Sequence, residues 1–168
     1  MGYVHDTAMS IYIPPTMGHY VTGTWTDAAG QVAGTIVKIK AAAAETSTIH
    51  IPLMVPSNSV ALKGCKIASV ELDYEIRTSA ATSITLSVSK VTRGADGADA
   101  TVSSVTGTQT LTPSTTAASV DEHKDKFTIT TPAYIDNDEY YLLKVVAICA
   151  AGTIVEILGA TVNYTLRV

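Results

Sequence analysis

The sequence predicts an all-β protein, an antiparallel β-sandwich of jelly-roll type with about eight to nine strands and an extended N-terminal arm. Three observations predict this fold. Apolar residues recur at every second position in several stretches, which is the period of a half-buried strand. Turn-forming residues separate these stretches at intervals of about 8 to 15 residues. Helical periodicity does not extend beyond one or two turns anywhere in the chain.

The clearest strand is predicted over Ile67–Arg77, where from Val70 onward apolar residues at even positions alternate with charged residues at odd positions. Ser83–Val91 alternates aliphatic residues with Ser and Thr and stops at the turn cluster 93–97. The short, Thr-rich stretches Thr101–Val105 and Gln109–Leu111 predict edge strands, and Phe127–Thr131 alternates again. The residues expected in the core are Val70, Leu72, Tyr74, Ile76, Leu86, Val88, Val145, Ile148, Ile157 and Leu158.

Two further pairs of strands are predicted as hairpins. Glu139–Ala150 is almost entirely apolar, which indicates a central strand buried on both faces. Thr153–Val168 follows after a short turn and is expected to pair with it. Earlier in the chain, Thr35–Ala42 and Thr48–Val55 form the other predicted pair. Pro52 places the second of these strands at a sheet edge, because proline has no N–H for the ladder.

Residues 1–20 differ from the rest and are interpreted as an N-terminal arm that precedes the sandwich domain, residues 21–168. Pro14-Pro15 forces an extended path there. A segment this rich in Tyr, Ile and Met is poorly suited to water, so we expect it to pack along the domain or on a neighbouring subunit. The residues expected to make arm and oligomer contacts are Tyr3, Ile11, Tyr12, Ile13 and Tyr20.

The composition narrows the classes of partner. Charged residues are 15% of the 168 residues, below the roughly 25% of ordinary soluble domains. Such a surface is typical of proteins that associate with other surfaces, and equally of a Thr-rich β protein with a neutral exterior. The net charge is −4 and there is no Lys/Arg run, so no nucleic-acid partner is expected. No apolar run suggests a membrane segment or a signal peptide, so synthesis in the cytoplasm is expected.

No catalytic, cofactor-binding or metal-binding residues are predicted, and the chain is not expected to be an enzyme. The four histidines lack the spacing of a metal site, and His123 is placed in a loop over residues 121–125. Buried free thiols are favoured over a disulfide for Cys65 and Cys149. Residues 136–139 could supply calcium ligands, but an Asx-rich turn is favoured. Trp25 could stack on a sugar, although a core or interface position is favoured.

Several segments of the chain occur in a characteristic order: Thr22–Trp25, Ile51–Leu53, Leu62–Gly64, Ser69–Ile76, Ile84–Lys90, Asp138–Leu143 and the closing predicted hairpin that runs to Leu166. Together they resemble uncharacterised β-sandwich proteins encoded in the genomes of tailed phages and environmental viruses. The resemblance spans about residues 21–168 and implies a virion component: a capsid decoration protein, a minor capsid protein, or a tail or fibre part. It also implies a symmetric homo-oligomer, a trimer or a larger assembly, in contact with other virion proteins.

The function predicted from these observations is structural: a non-enzymatic, self-assembling protein located in a virion. Low surface charge suits it, because it reduces repulsion between many copies held together. One alternative is a β-sandwich module that binds a carbohydrate or a host surface, with Trp25 as its stacking residue. A second alternative is a subunit of an extracellular polymer or surface layer.

Overall fold

The computed structural model describes residues 5–30, 36–40, 43–57, 64–112 and 121–167. These residues contain twelve strands and one short 3-10 helix over Pro15–Met17. In chain order the strands are β1 (Asp6–Ile13), β2 (His19–Thr22), β3 (Trp25–Ala29), β4 (Ile36–Lys40), β5 (Glu45–Leu53), β6 (Cys65–Arg77), β7 (Ala81–Thr92), β8 (Thr101–Val105), β9 (Gly107–Thr112), β10 (Asp121–Ile129), β11 (Glu139–Cys149) and β12 (Ile154–Arg167).

The strands form two antiparallel sheets that pack face to face. The seven-stranded sheet has the order β3-β4-β12-β6-β10-β9, with β1 also paired to β12, and the five-stranded sheet has the order β2-β5-β11-β7-β8. The orders β4-β12-β6-β10 and β5-β11-β7-β8 place the first and last of these eight strands side by side, and the second beside the seventh. This connectivity is that of a jelly roll, so the predicted fold class is confirmed.

The strand count exceeds the eight to nine predicted, because β1, β2, β3 and β9 extend the jelly roll. β1 pairs with β12 along its whole length, from Asp6 opposite Arg167 to Ile13 opposite Ala160. Pro14 is extended as predicted, but Pro15 then opens a single 3-10 turn that leads to β2 and the other sheet. The arm boundary predicted after residue 20 falls inside β2.

Both hairpins predicted from the sequence are wrong. β11 pairs with β5 and β7, whereas β12 lies in the other sheet beside β1, β4 and β6. β4 and β5 are likewise divided between the two sheets. Alternation of apolar residues reports which face of a strand is buried, but it does not report which strand lies alongside. The edge assignments are confirmed for β8 and β9. The edge assignment from Pro52 is wrong, because β2 pairs with β5 and forms the edge, and Pro52 is accommodated because it lies beyond the part of β5 that pairs with β2.

A β-bulge at Gly159 changes which side chains of β12 face the core. The register with β6 shifts between Ile157 and Gly159, where φ is +153°. Ile157 and Ala160 are therefore both buried, although strict alternation predicts opposite faces for them. A Cβ at Gly159 would lie 2.3 Å from Tyr12 Oη, and that hydroxyl donates to Leu158 O at 2.6 Å. The bulge thus makes room for the end of β1.

The core lies between the two sheets and contains most of the residues predicted for it. Ile148 and Leu158 are the two exceptions. Ile148 is 41% exposed because the buried positions of β11 are the odd ones, and Leu158 is displaced by the bulge. Residues 121–125 are also corrected, since they begin β10 and do not form a loop. The core residues predicted from the sequence that are buried are Val70, Leu72, Tyr74, Ile76, Leu86, Val88, Val145 and Ile157.

Candidate functional site

The outer face of the seven-stranded sheet is charged. On β6 and β10 the charges pair across the strands, with Lys126 Nζ 3.3 Å from Glu71 Oε1 and Lys124 Nζ 3.3 Å from Asp73 Oδ1. Arg77, at the end of β6, pairs with Glu156 on β12. The two lysine pairs are partly exposed, so they contribute little stability but keep the surface hydrated, whereas the Glu156 side chain is buried. This is the charged face predicted for residues 67–77.

The outer face of the five-stranded sheet has the opposite character and is called the neutral face below. Leu143, Val145 and Ala147 of β11 are buried, so the even-numbered residues of this strand point outward. Tyr140 lies opposite Val91 of β7, but the partners of the other four on β7 are hydroxyl residues, and the neighbouring positions on β5 are Pro, His and Thr. The residues of β11 and β7 on the neutral face are Tyr140, Leu142, Lys144, Val146, Ile148, Ser83, Thr85, Ser87 and Ser89.

Among the residues of the neutral face that the structure describes, Lys144 alone carries a formal charge. His50 lies directly opposite Lys144, and His19 lies opposite His50 on β2. The pKa of His50 is lowered, first by burial and then by the positive charges of Lys144 and His19. The His50 imidazole is therefore uncharged at neutral pH, and the neutral face carries little charge over five strands.

The position of β11 in the sheet explains one prediction and corrects another. β11 is the central strand of its sheet, as its apolar sequence predicts. Its inner face is buried, but its outer face is not, since Tyr140 is 47% and Ile148 41% exposed. A strand with the composition of one buried on both faces thus has one face open to solvent in the single chain.

A buried polar network lies between the sheets beneath β10. His123 and Asp125 point inward from β10, and the Asp125 side chain is hydrogen-bonded to Tyr74 and accepts from Gln109 Nε2 at 3.0 Å. The His123 ring stacks on Tyr74 with centroids 5.2 Å apart. Because Asp125 and Tyr74 are each only 1% exposed, the centre of this network is shielded from solvent and stabilises the fold. Because His123 and Asp125 are polar, this part of β10 lacks the apolar alternation by which a strand is predicted from sequence.

Gln109 also links the two sheets. Its Oε1 accepts from the backbone N–H of Leu86 at 2.8 Å, and its Nε2 donates to the carbonyl of Ile84 at 3.0 Å. Both groups lie on the part of β7 that β8 does not cover. The Gln109 amide therefore takes the place of the peptide group of a neighbouring strand, and it satisfies the backbone hydrogen bonds of β7 at this stretch of the sheet edge.

The pKa of Tyr74 is raised, first by burial and then by the Asp125 carboxylate and its hydrogen bond. In the unfolded chain a tyrosine ionises near pH 10, whereas the folded protein holds the Tyr74 proton above that pH. The stabilisation is complete below pH 10 and is lost as the pH rises further. We expect Tyr74→Phe to reduce the fall in unfolding free energy above pH 10 by about 1.4 kcal/mol per pH unit.

Urea denaturation at half-unit steps from pH 7 to pH 11 measures this difference. Between pH 7 and pH 9 the curves of wild type and Tyr74→Phe should run parallel, with the variant less stable throughout because Asp125 loses a donor. Parallel curves above pH 10 would contradict the assignment of this alkaline loss to Tyr74.

The residues predicted for arm contacts that the structure describes are divided between the core and the surfaces of the two sheets. Tyr3 lies outside the described residues, and Ile13 is buried in the core. Ile11 is partly buried against that core. Tyr12 and Tyr20 are exposed, but they lie on different sheets. Tyr20 Oη donates to Asp27 Oδ1 at 2.7 Å within the same chain.

The other residues considered for chemistry have structural surroundings. Trp25 is 6% exposed and packs in the core, which agrees with the favoured of its two interpretations. Cys65 and Cys149 are free and buried, and burial raises the pKa of the Cys65 thiol to about 11. Residues 136–139 form a turn in which the Glu139 N–H donates to Asp136 O at 3.1 Å.

A cleft of about 300 Å³ opens between the sheets at the β8 edge. Its polar groups include Lys90 and Tyr141, and the Lys90 ammonium is paired with Glu139. Within the described ranges no group of three or more His, Cys, Asp or Glu residues could hold a metal ion. Helical structure in the described part of the chain is too short to cross a membrane.

No protein-family model matches the chain, and no curated protein matches it. Among solved structures, the chain is similar to an arabinose-bound α-L-arabinofuranosidase, MgGH51, with 9% sequence identity and a TM-score of 0.41. The similarity covers 91% of this chain and 24% of the arabinofuranosidase chain, so this chain spans about a quarter of that protein's length. A similarity of this size transfers neither activity nor substrate.

Proposed function

We propose that the chain is a non-enzymatic structural protein that assembles with copies of itself through the neutral face, as a component of a virion. The observation that carries the proposal is the outward side of β11. Leu142, Val146 and Ile148 point outward from this central strand, on either side of Lys144, which carries the one formal charge among the described residues of the neutral face. Exposed apolar side chains grouped on a weakly charged face favour an interaction site.

The chemistry of the neutral face suits a second copy of the chain. The hydroxyl groups of β7 can donate and accept hydrogen bonds, so two such faces can satisfy one another without matched charges. Lys144 lies in the middle of β11, and a lateral offset between the two copies would place it over the hydroxyl row. Contact between copies would then cover the outer side of β11.

The virion assignment is supported by the fold and by the sequence resemblance. Jelly-roll domains serve as viral capsid subunits and also as lectin and cupin domains, so the fold by itself permits several functions. The charged face on the opposite sheet would keep the outside of an assembly hydrated. Trp25 is buried, so it does not favour the carbohydrate-binding alternative.

Ile148→Lys tests the contact. Because Ile148 is 41% exposed, a lysine there costs the monomer little, within about 0.5 kcal/mol, but it places a second cation on the neutral face. We expect the wild type to elute as a concentration-dependent oligomer, measured by size exclusion with light scattering, and Ile148→Lys to elute as a smaller species, no larger than a dimer, at every concentration. The matched control is Thr128→Lys, an exposed position on β10 of the other sheet.

Unchanged assembly of Thr128→Lys together with dissociation of Ile148→Lys supports the proposal. A wild type that is a monodisperse monomer at every concentration, or an Ile148→Lys variant that assembles normally, would overturn it. Electron microscopy of the purified assembly tests the proposal that it belongs to a virion. Closed particles, rings or fibres support that proposal, whereas an undefined aggregate or lone monomers count against it.

A further inference from the structure

The edge of the five-stranded sheet beyond β8 is open among the residues that the structure describes. β8 pairs with β7 on one side and is the last strand of its sheet. Val102 is 69% exposed, and Thr101, Ser103 and Ser104 are exposed as well. An edge strand presents a row of backbone N–H and C=O groups that can pair with another strand.

β8 lacks the features by which proteins usually protect such an edge. It contains neither a charged residue nor proline, and the sequence from 100 to 120 contains no charged residue at all. Two other edges are protected, since Gln109 covers the stretch of β7 that β8 leaves unpaired and β3, at one edge of the seven-stranded sheet, contains Asp27. β9, at the other edge of that sheet, is uncharged like β8. Within the described residues, β8 combines an uncharged edge with the strongly exposed apolar side chain of Val102.

We infer that β8 pairs antiparallel with β8 of a second copy across a two-fold axis, which joins two five-stranded sheets into one continuous sheet. This inference rests on the proposed self-assembly and adds a second contact to it. An antiparallel strand pair is self-complementary about a two-fold axis, because each strand offers the other the same backbone groups. With no charge on either strand, no like-charge repulsion opposes the pairing.

The joined sheet would also extend the neutral face. Val102 pairs with Val91 and Ser104 with Ser89, so the outward side of β8 continues the outward side of β7 and β11. If the axis passes near Ser103, the middle residue of β8, Val102 of one copy lies across from Ser104 of the other. The edge contact and the face contact use different surfaces, so together they link copies beyond a dimer, as a shell or fibre requires.

Single cysteines introduced in turn at Thr101, Val102, Ser103, Ser104 and Val105 test the edge contact. A residue at the axis lies beside its own copy, whereas a residue two positions away does not. The native thiols do not interfere, because Cys65 and Cys149 are both buried. Mild oxidation followed by non-reducing electrophoresis measures the covalent dimer, and peptide mass spectrometry identifies the linkage. The control is Thr26→Cys, at an exposed position on β3.

We expect one position, or two neighbours, to give a covalent dimer at least about tenfold above Thr26→Cys, because pairing raises the local thiol concentration to the millimolar range. The same scan in the Ile148→Lys background separates the two proposals. Cross-linking that persists there supports an independent edge contact. A wild type that assembles without cross-linking at any β8 position overturns the edge contact alone, as does equal cross-linking at every position including residue 26. A wild type that is monomeric and does not cross-link overturns both.

Discussion

Asp125→Ala is expected to lower the free energy of unfolding by about 3–5 kcal/mol. The Asp125 carboxylate is 1% exposed and accepts hydrogen bonds from Tyr74 and Gln109. Removing it leaves two buried donors without their acceptor, at about 1–3 kcal/mol each. The Gln109 amide then also loses part of what orients it against β7, so the two sheets lose a polar connection at this edge.

Two variants bracket this prediction. Asp125→Asn keeps one acceptor oxygen in the same place and should lose clearly less stability than alanine. Lys124→Ala alters the neighbouring, exposed residue, whose ion pair with Asp73 is solvated, and should change stability by less than about 1 kcal/mol. Urea denaturation measures all three. Asp125→Ala and Lys124→Ala of equal stability would show that the network is not a stabilising element.

The same network shows where sequence reasoning about the fold succeeds and where it stops. β6 and β7 could be predicted because their inward residues are uniformly apolar, so a period of two is visible in the sequence. β10 could be predicted only from residue 127, because His123 and Asp125 are polar and inward. Their partner Gln109 lies on another strand, and nothing local to β10 indicates that contact.

The pairing of strands and the bulge at Gly159 could not be predicted from the sequence for a similar reason. Both depend on contacts between distant segments, such as Tyr12 with Leu158, which are 146 residues apart. The candidate site was visible in part. Low charge predicted association, whereas the apolar β11 was predicted to be buried on both faces. The outward direction of Leu142 and Ile148 follows from the strand's place in a two-layer fold.

Leu142 and Leu143 are adjacent on β11, and replacing each by alanine should have opposite consequences for folding and assembly. Leu143 is fully buried in the core, whereas Leu142 lies on the neutral face and is half-buried. Leu143→Ala should lower the unfolding free energy by about 2–5 kcal/mol, because it removes apolar contacts and leaves a cavity. Leu142→Ala should cost the monomer less than about 1 kcal/mol, because its side chain is only partly removed from water.

Assembly should respond in the reverse order. Leu142→Ala removes contact area from the proposed interface and should weaken association by about fivefold or more, the loss typical of a contributing interface residue. Leu143→Ala, studied below its unfolding transition, should associate as the wild type does. Denaturation in the Ile148→Lys background measures folding stability without the neutral-face contact, and sedimentation velocity measures association in the native background. If Leu142→Ala instead destabilised the monomer as much as Leu143→Ala and left association intact, the outer side of β11 would be a folding surface, and the self-assembly proposed for it would fall.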